Sequence, residues 1–132
     1  MNWNKVRKEI IYGISVYTLS TNNKIPYQLT FERDLFLDRI NVNLLPLIYP
    51  ENKICYDLRK MVCDCFIEYL NENPDEELYF EIDISNRKGE LKMIKFLKWM
   101  EVYKNDYTVN FEFTNTNAIK YFEVYISKKR KE

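Results

Sequence analysis

Histidine is absent from this chain, and glycine occurs only at Gly13 and Gly89. Without histidine there is no Ser–His or Cys–His pair for nucleophilic catalysis. Two isolated glycines exclude a glycine-rich phosphate loop. Cysteine is scarce too: Cys55, Cys63 and Cys65, an odd number, all inside one expected helix. At about 100° per residue, Cys63 and Cys65 point roughly 200° apart and cannot form a disulfide with each other. A zinc site needs further ligands that the sequence does not supply. Free thiols suit a reducing compartment, so a cytoplasmic location is expected. No apolar run approaches the ~20 residues of a spanning helix. The opening stretch MNWNKVRKEIIYG lacks the features of a secretion signal. No membrane association and no cofactor are expected. Twenty basic and twenty acidic residues cancel, so the basic excess of a dedicated nucleic-acid binder is missing.

What the chain has in quantity is core material. Apolar residues make up 46% and aromatics 16% of 132 residues, enough for a single domain over residues 1–132. Residues 128–132, rich in lysine, are expected to form a frayed tail. With glycine scarce, asparagine takes over the turns, because it tolerates the left-handed region.

Hydrophobic periodicity sets the expected elements. Residues 11–20 alternate as a strand, with Tyr17 on its more polar side. IPYQLTFE follows a four-residue connection and places Ile25, Tyr27, Leu29 and Phe31 on one face, so the two form an antiparallel hairpin. Residues 39–49 offer a third strand, with Ile40, Val42 and Leu44 inward and Pro46 and Pro50 ending it. Residues 52–71 switch to helical spacing, with Ile54, Leu58, Met61, Val62, Cys65 and Tyr69 within about 100° of arc. Asn52 is placed as N-cap and Asn73-Pro74 as the stop. Residues 77–84 give the clearest strand, with Leu78, Phe80, Ile82 and Ile84 opposite Tyr79, Glu81 and Asp83. A second helix is expected over 87–104. Strands over 107–113 and 120–127 follow, joined by a hairpin loop from Thr114 to Ile119. The order β-β-(β)-α-β-α-β-β predicts an α+β two-layer sandwich, a mostly antiparallel sheet with two helices on one face.

Three groups of residues are candidates for function. Glu81 and Asp83, with Glu112 and Glu123 on neighbouring strands, offer four carboxylates on one sheet face; they suit Mg²⁺, or equally a solvated face kept charged against edge pairing. Carboxylates alone do not specify a metal, and none is assigned. Arg87, Lys88, Lys92, Lys95 and Lys98, with Trp99 at the edge, form a basic strip suited to nucleic acid or to solvation alone. Tyrosine is the third feature, at eleven copies. Tyr79, Tyr121 and Tyr125 fall on polar strand faces, where a large, stiff side chain with one polar handle makes contact surface. From Glu68 to Asp83 the chain carries seven acids and no base, including Asp75, Glu76 and Glu77.

Two segments resemble a known group. YTLSTNNKIPYQLTFERD forms a hairpin pattern, and DLRKMVCDCFIEYL followed by ELYFEIDISNRKGELKMIKFLKWME runs helix, strand, turn, helix. Together, over roughly residues 17–101, they resemble small uncharacterised α+β proteins found mainly in Bacteroidota. Tyr27, Phe31, Asp83, Arg87, Phe96 and Trp99 carry the pattern. The resemblance implies a fold and a setting of small accessory genes, with toxin–antitoxin or defence roles, and no established activity.

The leading expectation is a non-enzymatic protein-interaction domain of immunity, antitoxin or accessory-subunit type. Its partner is another protein, bound through Tyr79, Glu81, Asp83, Tyr121, Tyr125 and the acidic turn Asp75–Glu77. The alternatives are a nucleic-acid-binding or nuclease-like protein using the Lys88–Lys98 strip, and a homodimeric structural module.

Overall fold

The computed structural model describes residues 6–20, 26–46, 56–83, 94, 96–98, 100–116 and 119–129. Seven strands form one mixed sheet: β1 (Val6–Ile11), β2 (Ile14–Ser20), β3 (Pro26–Arg33), β4 (Ile40–Pro46), β5 (Glu77–Asp83), β6 (Tyr107–Thr116) and β7 (Ile119–Lys128). Their order across the sheet is β1-β2-β3-β4-β5-β7-β6. Helix α1 (Tyr56–Glu72) connects β4 to β5, and residues 94, 96–98, 100 and 101 are also helical. The class is α+β. No helix among the described residues is long and apolar enough to cross a membrane.

β1 is the strand that periodicity misses. Its sequence VRKEII has no clean alternation, because an edge strand half in water has no buried face to enforce one. The expected strand over 11–20 is instead broken by a tight turn, with Tyr12 at φ 49° and Gly13 at φ 80°. Two successive left-handed residues match the twist of a two-residue hairpin, and Ile11 pairs with Ile14 across it. Tyr12 bears this conformation in full exposure, where its side chain meets no crowding.

β2 and β3 pair antiparallel, Tyr17 opposite Leu29 and Leu19 opposite Tyr27. The register corrects one assignment: Tyr17 belongs to the core, fully buried, edge-on to Phe31 at 5.4 Å. Among the described residues its hydroxyl finds no hydrogen-bond partner, and burial pushes its ionisation upward. Opposite it on β3, Tyr27, Leu29 and Phe31 are buried as their alternation requires. On β4, Ile40 and Val42 are buried, but Leu44 on the same face is 39% exposed.

All neighbouring strands run antiparallel except β4 and β5, which meet parallel at Ile40–Leu78 and Asn41–Tyr79. α1 makes the return that a parallel pair needs. At its end, the Asn73 backbone and side-chain amides both donate to the Tyr69 carbonyl (2.9 and 3.0 Å), which closes the last turn before Pro74. The expected N-cap Asn52 lies outside the described residues, as do Cys55 and most of the expected second helix.

α1 is buried over a wider arc than its main apolar stripe covers. Besides Met61, Cys65 and Tyr69, the side chains of Cys63, Phe66 and Leu70 are buried. Phe66 explains the difference. Its ring meets Phe31 (6.0 Å) and Phe80 (5.3 Å) of the sheet and Phe96 (6.2 Å) of the second helical segment. Cys63 and Cys65 are free, and burial pushes both thiols up to about 12. Such thiols stay protonated and unreactive at neutral pH.

β6 and β7 extend further than expected. They pair as far as Thr116–Ile119, so Thr114, Asn115 and Thr116 belong to β6 and not to a loop. At the other end Lys128 belongs to β7 and the Lys129 amide donates to the Asp106 carbonyl (2.8 Å), so the chain is held through Lys129.

Candidate functional site

The solvent face of β5, β7 and β6 gathers most of the residues singled out in the sequence. Registration places Tyr79 beside Tyr125, Glu81 beside Glu123, and Asp83 beside Tyr121. Glu112 of β6 stands on the other side of Glu123. Three glutamates therefore lie side by side across three strands. Like charges directly opposite one another destabilise a sheet, so this row is held at a cost. The Tyr79 hydroxyl relieves part of it, donating to Glu81 Oε1 at 2.7 Å and lying 3.2 Å from Glu123 Oε1. Among the described residues no set of three His, Cys, Asp or Glu side chains converges closely enough to hold a metal ion.

Tyr79 is not open contact surface. It is 7% exposed, with the Arg39 guanidinium 3.6 Å over its ring and Tyr125 at 5.1 Å. Burial, then the hydrogen bond to Glu81, raise its ionisation strongly. Tyr121 and Tyr125 are half-buried, while Glu81 and Glu112 are exposed. The side chain of Asp83 lies outside the described residues.

Arg39 ties this face to a loop that periodicity does not single out. Between β3 and β4 the chain reads Asp34-Leu35-Phe36-Leu37-Asp38-Arg39. Leu35 is 90%, Phe36 93% and Leu37 52% exposed. The loop is nevertheless built. Asp34 Oδ1 accepts from the Phe36 and Leu37 amides (2.8 and 2.9 Å), and the Asp34 amide donates to the Arg39 carbonyl (3.0 Å). Asn41 Nδ2 donates to the second Asp34 oxygen at 2.8 Å. These donors, Asn41 first, hold the Asp34 carboxyl down at about 2. The signal in the sequence is an apolar triplet in a turn, preceded by an aspartate able to bond the backbone two and three residues on.

The parallel pairing of β4 with β5 brings the loop to the same end of the sheet as the acidic turn. Arg33 pairs with Glu76 across the two connections and lies 3.7 Å from Asp38. Asp38 is 99% exposed in the loop, and Asp75 is exposed in the acidic turn. An open groove of about 560 Å³ runs from Pro74–Glu77 to Thr108, Ser127, Lys128 and Lys129. The end of the sheet thus carries an apolar prong, an acidic turn and a polar groove.

Of the basic strip, Lys98 is exposed. Arg87, Lys88, Lys92, Lys95 and Trp99 lie outside the described residues. Lys128 and Lys129 are tied inward, to Asn71 Oδ1 (3.0 Å) and the Lys104 carbonyl (2.7 Å). Comparison of the chain with family models, with curated proteins and with solved structures gives no match.

Proposed function

We propose that the protein is a non-enzymatic protein-interaction domain of immunity, antitoxin or accessory-subunit type. One observation carries the reading: Leu35, Phe36 and Leu37 are held out in water by a loop whose backbone is bonded in place. Fully burying a large apolar side chain is worth about 1.5–3 kcal/mol, and a pre-ordered loop loses little entropy on docking. The partner that fits is a protein with an apolar pocket and a basic rim, facing Asp38, Asp75 and the glutamate row. Complementary charge of that kind steers approach and fixes register. The free, protonated Cys63 and Cys65 support a cytoplasmic setting. We also read both helical segments as lying on one face of the sheet, supported by Phe96, whose ring meets Phe66 of α1 (6.2 Å) and Phe80 of β5 (5.2 Å).

The test is affinity capture from the native host with the wild-type chain and with Phe36→Asp, read by quantitative mass spectrometry. A protein enriched by the wild type is expected to fall at least tenfold with the variant. Melting temperature should not change, because exposed substitutions stay within about 0.5 kcal/mol. Equal capture by both chains would overturn the reading.

A further inference from the structure

The two edges of the sheet are built differently. β1 is short and carries Arg7, Lys8 and Glu9 in six residues, the usual protection against pairing with another chain. β6 runs ten residues, YTVNFEFTNT, with Glu112 its one charge and no proline. β7 is its one neighbour among the described strands. On the helix-bearing side of β6, Phe111 is 36% and Phe113 55% exposed, both resting on Phe122 (6.4 and 5.4 Å). A long, bare edge flanked by exposed aromatics is a template for strand addition.

We propose that β6 pairs antiparallel with β6 of a second copy of this chain, on a two-fold axis at Phe111. The sequence is self-complementary in that register. Phe111 faces Phe111 and Val109 faces Phe113 of the other copy. On the opposite side of the sheet Thr108 faces Thr114 and Asn110 faces Glu112, so each carboxylate accepts from an amide. A two-fold axis normal to the sheet preserves side-chain parity, so the neighbouring registers centre on Glu112 or Asn110. The first sets Glu112 against Glu112 and joins both Glu81–Glu123–Glu112 rows into one line of acids, which like-charge repulsion disfavours. The second shortens the paired stretch. An isologous contact of this kind closes on itself and does not propagate. β6 lies three places from β4 in the sheet, so both apolar loops stay free.

Analytical ultracentrifugation of the wild-type chain from micromolar to millimolar concentration tests the pairing. The mass is expected to rise from one chain to two, and Phe111→Lys to hold it at one. Oxidation of variants with one added cysteine tests the register. Phe111→Cys should give a disulfide-linked dimer, since directly opposed strand residues lie about 4.5–5.5 Å apart between Cα atoms. Phe113→Cys should give no more crosslink than the wild type, whose own cysteines set the background. A wild-type chain that stays monomeric throughout would overturn the proposal. So would a dimer indifferent to Phe111→Lys, or one that crosslinks through residue 113 and not 111.

Discussion

Asp34 sets the shape of the exposed loop from a single carboxylate. One oxygen accepts from two successive backbone amides and the other from Asn41. Its folded-state value of about 2 lies below the ~3.9 of an unfolded chain. A lowered carboxylate contributes to order above the unfolded value and loses that contribution as pH falls through the folded one. The loop should therefore keep its form at neutral and mildly acid pH and loosen as pH drops from about 4 toward 2. A carbon-13 titration of the Asp34 carboxyl should show a midpoint near 2. A midpoint at the ordinary aspartate value would mean that the amides do not hold it. None of this was legible from hydrophobic spacing, which registers buried faces and is blind to side chains kept in water. The chemistry of Asp34, not the spacing of Leu35 to Leu37, holds the information. Tyr17 shows the converse. Its position beside Ser15 suggested a polar face, whereas packing against Phe31 placed it wholly inside.

At the level of the element, α1 carries more of the core than its stripe announces. Phe66 touches rings from β3, from β5 and from the second helical segment. Removing it opens a cavity bounded on three sides by elements that cannot all close in. Phe66→Ala is expected to cost about 3–5 kcal/mol, measured by urea unfolding. Phe80→Ala, at a partly buried position, should cost less. Equal losses would mean that the two helical segments are less firmly joined than Phe96 implies. Strands β3 and β7 were legible because buried residues alternate along them with half-buried ones. β1 was not, since an edge strand with Arg7, Lys8 and Glu9 has little apolar face to alternate. The wide buried arc of α1 was also out of reach, because Phe66 is covered in part by Phe96, about 30 residues along the chain and outside the helix's own pattern.

For the whole molecule, the weak line is the parallel seam. β1 to β4 form one antiparallel meander, and β5, β7 and β6 another set, each rich in pairings between nearby stretches of chain. Among the described residues their strands pair at Ile40–Leu78 and Asn41–Tyr79, with Arg33–Glu76 and Arg39–Tyr79 beside them. Native-state hydrogen exchange should therefore resolve two groups of amides that open with different free energies, divided at this seam. A single cooperative opening across all seven strands would show that the helices bind the halves into one unit. The seam also governs the order in which the protein is made. β4 leaves the ribosome with β3 on one side and nothing on the other, and its neighbour β5 emerges only after all of α1. For that interval a nascent chain displays a bare strand edge beside an exposed apolar triplet, the kind of surface on which incomplete chains aggregate. Translation speed through α1 then decides how long the unfinished molecule remains adhesive.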